Sequence, residues 1–303
     1  MGRFIARHKL LFTIVFVVFV VLIYFTEPWL LVKKPPKVEG DPMSLIHVFA
    51  ASKTESHSVE QLMNRSEGNA SGTNAGRIGA NEVVLFITGI GPKSARSSAS
   101  SVLLGSDRAI THSDLHRPDA AIVVGMCGSL TSSIGESEVI VYTDCLSSST
   151  NSERVRCTRT LVEHITALLK SRSINCRSTV GVSTPRIATT KDEKLALARS
   201  GAEVVDMESY EIVAAAIQAR LPVAVVRVVS DSLDREIPDF NLALQDNGGV
   251  DSFKLLKVFI GSPILTSKAF VASRRALLTL SNALAIILGD DSFSSLHSEI
   301  PSH

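Results

Sequence analysis

The segment Gly201-Ala-Glu-Val-Val-Asp-Met-Glu-Ser-Tyr210 is followed, after the length of one helix, by the apolar run Val223-Ala-Val-Val-Arg-Val-Val-Ser-Asp231. Each of these two stretches places a carboxylate, Glu208 or Asp231, at the C-terminal end of a strand-like apolar sequence. Open α/β sheets collect their ligand-binding groups at that end of their strands. The two carboxylates are therefore predicted to serve chemistry rather than packing.

Apolar runs of strand length alternate with helical patterns along most of the chain. This alternation predicts an α/β fold, a three-layer α/β/α domain with a mixed, mostly parallel central sheet, over residues 44–289. The Gly/Ser/Asn-rich stretch 66–81 is expected to be a loop. The predicted strands are Ser44–Ala51, Val83–Thr88, Ala120–Val124, Val139–Asp144, Thr179–Val182, Glu203–Asp206 and Val223–Ser230.

A long apolar helix is predicted to close the domain over Ser267–Leu288, with Gly289 as its C-terminal cap. Its Leu277, Leu280, Leu284 and Ile287 recur at helical spacing. Such a stripe indicates a face turned to the core rather than to a membrane. Residues 290–303 are predicted to form a frayed tail.

Composition limits the function classes. The 303 residues are 45% hydrophobic with a formal charge of +1, so one sizeable core is expected and no nucleic-acid partner. The four cysteines show no CxxC spacing and are too few for a disulfide scaffold. We therefore predict no metal site, and most of the cysteines are expected to be small buried side chains.

The N-terminus carries basic residues before an apolar run, Leu10–Phe25, that is broken only by Thr13. This pattern predicts a single-pass transmembrane anchor within residues 1–32, joined to the domain by a Pro/Lys-rich linker over residues 33–43. A cleaved signal peptide is the alternative, although no Ala-x-Ala pattern follows the run. Lysines after the run nearly balance the basic residues before it, so the side of the membrane stays open.

Two further segments complete a family pattern. Ile87-Thr-Gly-Ile-Gly-Pro-Lys-Ser-Ala95 and Ala121-Ile-Val-Val-Gly-Met-Cys-Gly-Ser129 precede the Asp-Met-Glu and Ser-Asp motifs. In order and spacing the four motifs resemble the nucleoside phosphorylase and methylthioadenosine/adenosylhomocysteine nucleosidase superfamily, over roughly four fifths of the chain. The resemblance implies that the enzyme cleaves ribose–purine bonds, needs no cofactor and forms a homo-oligomer.

The part of the chain after Asp231 resembles one subfamily. The segment from Pro238 to Asp251 and the Leu/Ala-rich closing helix look most like the hopanoid-associated phosphorylases, which are proposed to act on an adenosylated lipid. That resemblance implies a nucleoside or an adenosylated lipid as the small-molecule partner.

The resemblance assigns roles to four side chains. Asp231 would deliver a proton to the purine N7, and Glu55 would activate the attacking water. Glu208 would accept hydrogen bonds from the ribose hydroxyls, beside Met207 packed on the sugar. Without the family resemblance, Asp231 could cap a following helix, and Met207 could fill a gap in the core. Glu55 could be an ordinary glutamate in the first turn of a surface helix, where the helix dipole favours a negative charge. The side chain of Asp206 is expected to form hydrogen bonds with the backbone of the turn in which it lies.

Glycine turns are the remaining candidates for the sugar or anion site, because glycine lets backbone N–H groups approach a ligand. The turns resemble the family's two glycine turns, and the Ser-Asp motif adds a hydroxyl beside its acid. The candidate residues are Thr88, Gly89, Gly91, Gly125, Ser129 and Ser230.

The sequence also departs from the family. Val123 and Met126 stand where the hexameric phosphorylases have an arginine and a serine for phosphate. With no fixed cation evident, hydrolysis is expected, although inorganic phosphate stays a candidate co-substrate that Lys93 or Arg96 could bind. The segment that supplies a base-stacking aromatic ring is nearly absent. These departures favour the rival hypothesis, a non-catalytic nucleoside-binding module anchored to a membrane.

Overall fold

The computed structural model describes residues 32, 34–36, 38, 40–64, 74–105, 117–149, 154–245, 247–291 and 293. Residues 1–31, which contain the predicted anchor, and nearly all of the predicted tail lie outside this part of the chain. The anchor and the tail therefore stay predictions.

Within the described residues the chain forms nine strands and seven α-helices. The strands are β1 (Leu45–Ala50), β2 (Ala75–Ile78), β3 (Asn81–Ile87), β4 (Ala120–Ser129), β5 (Val139–Ser147), β6 (Val155–Arg156), β7 (Cys176–Ser183), β8 (Val204–Asp206) and β9 (Val223–Asp231). The helices are α1 (Lys53–Glu60), α2 (Pro92–Leu104), α3 (Arg159–Ser171), α4 (Lys191–Ala198), α5 (Ser209–Gln218), α6 (Ser252–Gly261) and α7 (Pro263–Leu288). A short 3-10 helix covers Phe240–Ala243.

All nine strands belong to one mixed sheet, as predicted. Its order is β2-β3-β1-β4-β8-β7-β5-β6, and β9 pairs in parallel with β4 and antiparallel with β5. Five of the nine strand pairs described are parallel. Two groups of helices, α2 with α5 and α7 with α1 and α3, pack on the sheet.

The sheet differs from the expected open arrangement because part of it closes on itself. Strands β4, β8, β7, β5 and β9 form a ring in which each pairs with the next. The long strands β4 and β5 make this possible, since each changes register partway along its length. Such irregularities bend a strand and let its two halves face different partners.

Several boundaries differ from the sequence expectation, and three of them bear on the domain's architecture. Residues 75–78 form strand β2, which joins β3 through a turn at Gly79 (φ +62°), so the predicted loop is shorter. Strand β4 runs through the second glycine segment to Ser129, where a turn was expected. Helix α7 begins at Pro263 rather than Ser267, because proline is well suited to the first turn of a helix.

The closing helix packs as predicted. Leu277, Leu280, Leu284 and Ile287 of α7 are all buried in the main hydrophobic core. By length and composition α7 could also cross a membrane, but half of its most apolar window is buried inside the domain. The stripe is therefore a core stripe.

His47 on β1 is an unusual core residue. Its side chain is buried against the edge of the Phe86 ring, with ring centroids 4.9 Å apart. Among the described residues neither ring nitrogen has a hydrogen-bond partner. Burial lowers the pKa of His47 to about 4, because the charged imidazolium is poorly solvated there.

We expect His47→Leu to stabilise the protein by about 1–3 kcal/mol at neutral pH, because it removes two unpaired buried polar atoms. Between pH 6.5 and about 4 the unfolded chain binds a proton at His47 that the folded protein excludes. Wild-type stability contributed by this group is therefore lost as the pH falls through that window, and the variant should lose less. Denaturant unfolding at several pH values measures both effects, with the exposed His57→Leu as control. If the free energy of unfolding depended equally on pH in wild type and in His47→Leu, this account would be contradicted.

Candidate active site

A cavity of about 250 Å³ opens where the C-terminal ends of β4, β8 and β9 meet. Helix α1, the 3-10 helix and α7 complete its walls. It is lined by Ala51, Ser52, Glu55, Ile90, Met126, Cys127, Gly128, Thr184, Ile187, Ala188, Val205, Asp206, Met207, Glu208, Ser230, Asp231, Ile237, Phe240, Ala269 and Ser273.

The guanidinium of Arg227 lies beneath this cavity and is 1% exposed. Three carboxylates surround it. Its Nε is 3.4 Å from Asp206 Oδ2, its Nη2 is 3.4 Å from Glu208 Oε2, and its Nη1 is 3.8 Å from Glu55 Oε1. Its Nε and Nη2 also donate to the hydroxyl of Ser209. Elements far apart in the chain thus converge on one cation.

The charges in this cluster do not balance, because three acids share one arginine. Burial raises the pKa of Glu208 to about 7. Arg227 opposes that rise, while the negative charges of Asp206 and Glu55 add to it. Glu208 Oε1 also accepts a hydrogen bond from the backbone N–H of Gly91, at 2.9 Å, which favours the ionised form. Glu208 therefore changes charge near neutral pH.

Asp206 organises the turn between β8 and α5. Its Oδ1 accepts hydrogen bonds from the backbone N–H groups of Glu208 and Ser209 and from the Ser183 hydroxyl. The backbone bonds expected for Asp206 are confirmed, and its contact with Arg227 is additional. Together these contacts hold Glu208 at the cavity wall.

Glu55 sits in the first turn of α1, as the dipole argument allows, but it is 6% exposed and faces the cavity. Ser52 caps the helix and its hydroxyl contacts Glu55 Oε2 at 3.2 Å. Glu55 Oε1 accepts from the backbone N–H of Met126 at 2.9 Å. A Cβ on Gly125 would collide with both Glu55 Oε1 and Arg227 Nη1, so glycine there makes room for their contact.

Asp231 ends β9 and also lines the cavity. Consecutive strand residues normally point to opposite faces, yet Ser230 and Asp231 both line it. The reason is a β-bulge in β9. The consecutive residues Cys127 and Gly128 of β4 pair with Val229 and Asp231, so Ser230 is an extra residue between them. The hydroxyl of Ser230 donates to Asp231 Oδ1 at 2.7 Å.

Lys194 pairs with Asp231 from beneath. Its side chain is fully buried, and Nζ lies 2.5 Å from Asp231 Oδ2. The ammonium also donates to the carbonyls of Ser232 and Arg235, at 2.7 and 2.9 Å. Three oxygens thus satisfy its three N–H groups, and α4 is tied to the loop that follows β9. The described residues 232–239, which follow Asp231 directly, form no helix, so Asp231 is not the helix cap considered above.

The structure brings five of the predicted site residues to the cavity: Asp231, Glu55, Glu208, Met207 and Ser230. The other five do not line it. Gly125 makes room behind it, while Gly91 (φ +94°) precedes α2 and donates to Glu208. Gly89 (φ +82°) lies against Ser94, the Thr88 hydroxyl donates to nearby backbone carbonyls, and the Ser129 hydroxyl bonds the backbone of Thr131.

Sequence reasoning missed three residues of the site. Arg227 had a signal, since a charge inside an apolar strand must find a buried partner. Lys194 had none, because its pattern is that of any lysine on a polar helix. Phe240 places an aromatic ring in the cavity wall, from a part of the chain outside the shortened segment before Cys157.

We expect Lys194→Met to lower the free energy of unfolding by about 3–5 kcal/mol, because it leaves the buried Asp231 carboxylate without its counterion. Lys191→Met on the same helix is the matched control, since its partner Asp234 is 66% exposed and little change is expected. Denaturant unfolding of both variants decides the matter. Similar small losses would show that the buried pair adds no more than a surface one.

Comparison with known proteins agrees with this architecture. The family model for the phosphorylase superfamily matches residues 48–260, which is more than half of the chain. A comparison with curated protein sequences finds no significant match.

Solved structures share the fold at low sequence identity. A 5'-methylthioadenosine/S-adenosylhomocysteine nucleosidase from Colwellia psychrerythraea with adenine has a TM-score of 0.61 at 14% identity, covering 81% of this chain and 95% of its own. The Neisseria meningitidis nucleosidase with methylthio-immucillin-A gives 0.59 at 15%, covering 81% and 99%. A futalosine hydrolase mutant of Helicobacter pylori gives 0.59 at 14%, covering 80% and 98%. Because the family model matches residues 48–260, the chain belongs to the phosphorylase superfamily.

Proposed function

We propose that this protein hydrolyses the bond between a purine base and its ribose. The observation that carries the proposal is the convergence of Glu55, Glu208 and Asp231 on one cavity. The first two acids meet at Arg227, and the third stands at the far end of β9. Such a cavity offers acid/base groups on two sides of a ligand, as cleavage of this bond requires.

The chemistry places a distinct demand on each acid. As the C1′–N9 bond breaks, its electron pair goes to the purine and positive charge develops on the ribose. Glu208, when ionised, stabilises that charge and accepts hydrogen bonds from the ribose hydroxyls. Glu55 takes a proton from the water whose oxygen bonds to C1′. Asp231, an ionised carboxylate beside Lys194 in the free enzyme, takes up a proton from solvent before the bond breaks and gives it to the departing purine, while Lys194 holds its carboxyl group in position.

Water is favoured over phosphate as the nucleophile because the positive charge of Arg227 is already compensated by carboxylates. Three carboxylates already lie within 3.8 Å of it, so a further anion would meet net negative charge. The expectation that no cation lies near the sugar site was wrong as to Arg227. We still propose water as the nucleophile, because the three carboxylates compensate this cation.

Lys93 and Arg96, the two residues considered above for a phosphate site, do not line the cavity. Arg96 is engaged with Glu211 through both Nε and Nη2, at 2.7 and 2.8 Å. Such a two-pronged pair with a carboxylate is among the stronger charged contacts in proteins, so it holds the Arg96 guanidinium at Glu211.

The wall formed by Phe240, Ile187 and Ile237 suits a flat base. These side chains line the cavity together with Asp231 and provide an apolar surface and one ring. A purine could stack there with N7 toward Asp231. The solved relatives include one with adenine and one with methylthio-immucillin-A, which supports a small nucleoside as ligand.

Membrane anchoring and an adenosylated lipid substrate extend this proposal. They depend on the apolar run Leu10–Phe25 and on the subfamily resemblance of the sequence. An anchored enzyme would encounter a lipid substrate at high local concentration. Homo-oligomerisation is a further proposal that depends on the family resemblance alone.

The decisive experiment scores adenine release from a panel of purine nucleosides with and without inorganic phosphate, separating ribose from ribose 1-phosphate. We expect free ribose in both conditions. Glu55→Gln should lower turnover by about 10²–10⁴, because the attacking water loses its base. Glu60→Gln on the same helix, whose carboxylate pairs with His57, should leave turnover unchanged.

Two results would contradict the proposal. Ribose 1-phosphate as the main product, insensitive to Glu55→Gln, would make the protein a phosphorylase. Binding of nucleosides without release of base from any of them would favour the non-catalytic module.

A further inference from the structure

The most exposed large apolar side chains of the described chain are gathered in one segment. Leu242, Phe253, Ile260 and Ile264 are each 54–69% exposed. Outside residues 242–271, the most exposed large apolar side chain among those described is Met43, at 49%. Single exposed apolar residues are ordinary, but a contiguous group of them marks an interaction surface.

Helix α6 is the centre of this group. Phe253, Leu256 and Ile260 follow the i, i+3, i+7 spacing that places side chains on one helix face. No residue of α6 is buried, although its other face contacts the 3-10 helix and α7. Ile264 extends the apolar face into the first turn of α7. We call this surface, defined by Phe253, Leu256, Ile260 and Ile264, the α6 face.

Basic residues border the α6 face. From Ser252 to Leu288 the sequence has five lysines and arginines and no aspartate or glutamate. Lys254 and Lys257 are exposed on α6, and Lys257 Nζ lies 4.6 Å above the Phe253 ring. Lys268 is exposed one turn beyond Ile264. An apolar stripe flanked by lysines is the pattern of a helix that lies in the surface of a membrane.

The α6 face lies beside the cavity. Helix α7 lines the cavity with Ala269 and Ser273, while its neighbouring Lys268 and Val271 are exposed. The 3-10 helix that precedes α6 contributes Phe240 to the same cavity. A surface that covers the α6 face would therefore also adjoin the cavity mouth.

We propose that the α6 face docks on the surface of an anionic lipid bilayer. Its apolar side chains would enter the boundary between headgroups and acyl chains, and the lysines would contact anionic headgroups. The inference depends on these exposed residues alone and does not require the proposed hydrolysis.

Charge decides between this partner and the two protein partners that could cover the same face. In a twofold dimer the α6 face would meet its own copy, which would bring lysines together. The apolar run Leu10–Phe25 is itself preceded by Arg3, Arg7 and Lys9, so it offers no acidic complement either. An anionic bilayer supplies both the apolar medium and the opposite charge.

The test uses the full chain in lipid nanodiscs of phosphatidylcholine with and without phosphatidylglycerol. A fluorophore is attached at Ile260→Cys, or at Ile217→Cys as a matched control. Ile217 is 45% exposed and lies on α5, which packs against α2. All four native cysteines are buried, so labelling is directed to the new one. Quenching by spin-labelled lipid then reports contact with the bilayer.

We expect quenching at position 260 in discs containing phosphatidylglycerol and none at position 217. Lys254→Gln with Lys257→Gln should weaken docking by roughly fivefold per lysine. Equal quenching at both positions, or none at position 260, would overturn the proposal. So would a label at position 260 that aqueous iodide cannot reach in discs of phosphatidylcholine alone, because protein would then cover the face.

Discussion

The contact of Arg227 with Asp206, Glu208 and Glu55 is the constraint on which the rest of the site depends. Isolated buried charges are costly, and an ion pair offsets that cost only when geometry and hydrogen bonds are good. Arg227 meets these conditions with Ser209 and the Met126 carbonyl as additional partners. The arginine lets three acids lie together at one cavity, because its positive charge offsets part of their mutual repulsion.

Several local features of the chain follow from that contact. Gly125 leaves space for Glu55 and Arg227 to meet, and Asp206 fixes the turn that carries Glu208. The ring of strands brings β4, β8 and β9 together, so that residues distant in sequence surround one guanidinium. Asp231 has its own cation, Lys194, and so its charge is compensated independently of the cluster. Two separately compensated groups of acids suit a reaction that needs different chemistry on two sides of one bond.

Sequence patterns predicted what depends on local order. Strand and helix alternation predicted the mixed sheet, and helical spacing predicted the core stripe of α7. Glu208 and Asp231 could be placed because a strand end is a local feature. The ring closure, the β4 extension and the Ser230 bulge could not, since each depends on which strands pair. Lys194 becomes buried only because the loop after β9 folds over it, which no pattern around Lys194 indicates.

The most direct test of this account is the stability of Glu208→Gln relative to wild type between about pH 5 and pH 8. With the pKa of Glu208 at about 7, the folded protein keeps a proton that the unfolded chain has already lost above about 4.5. Wild-type stability should therefore fall as the pH rises toward 7, by about 1.4 kcal/mol for each unit of pKa difference. The variant lacks this titration and should gain relative stability over the same range. A difference between the two proteins that stays constant from pH 5 to pH 8 would contradict the claim that crowded, buried acids share Arg227.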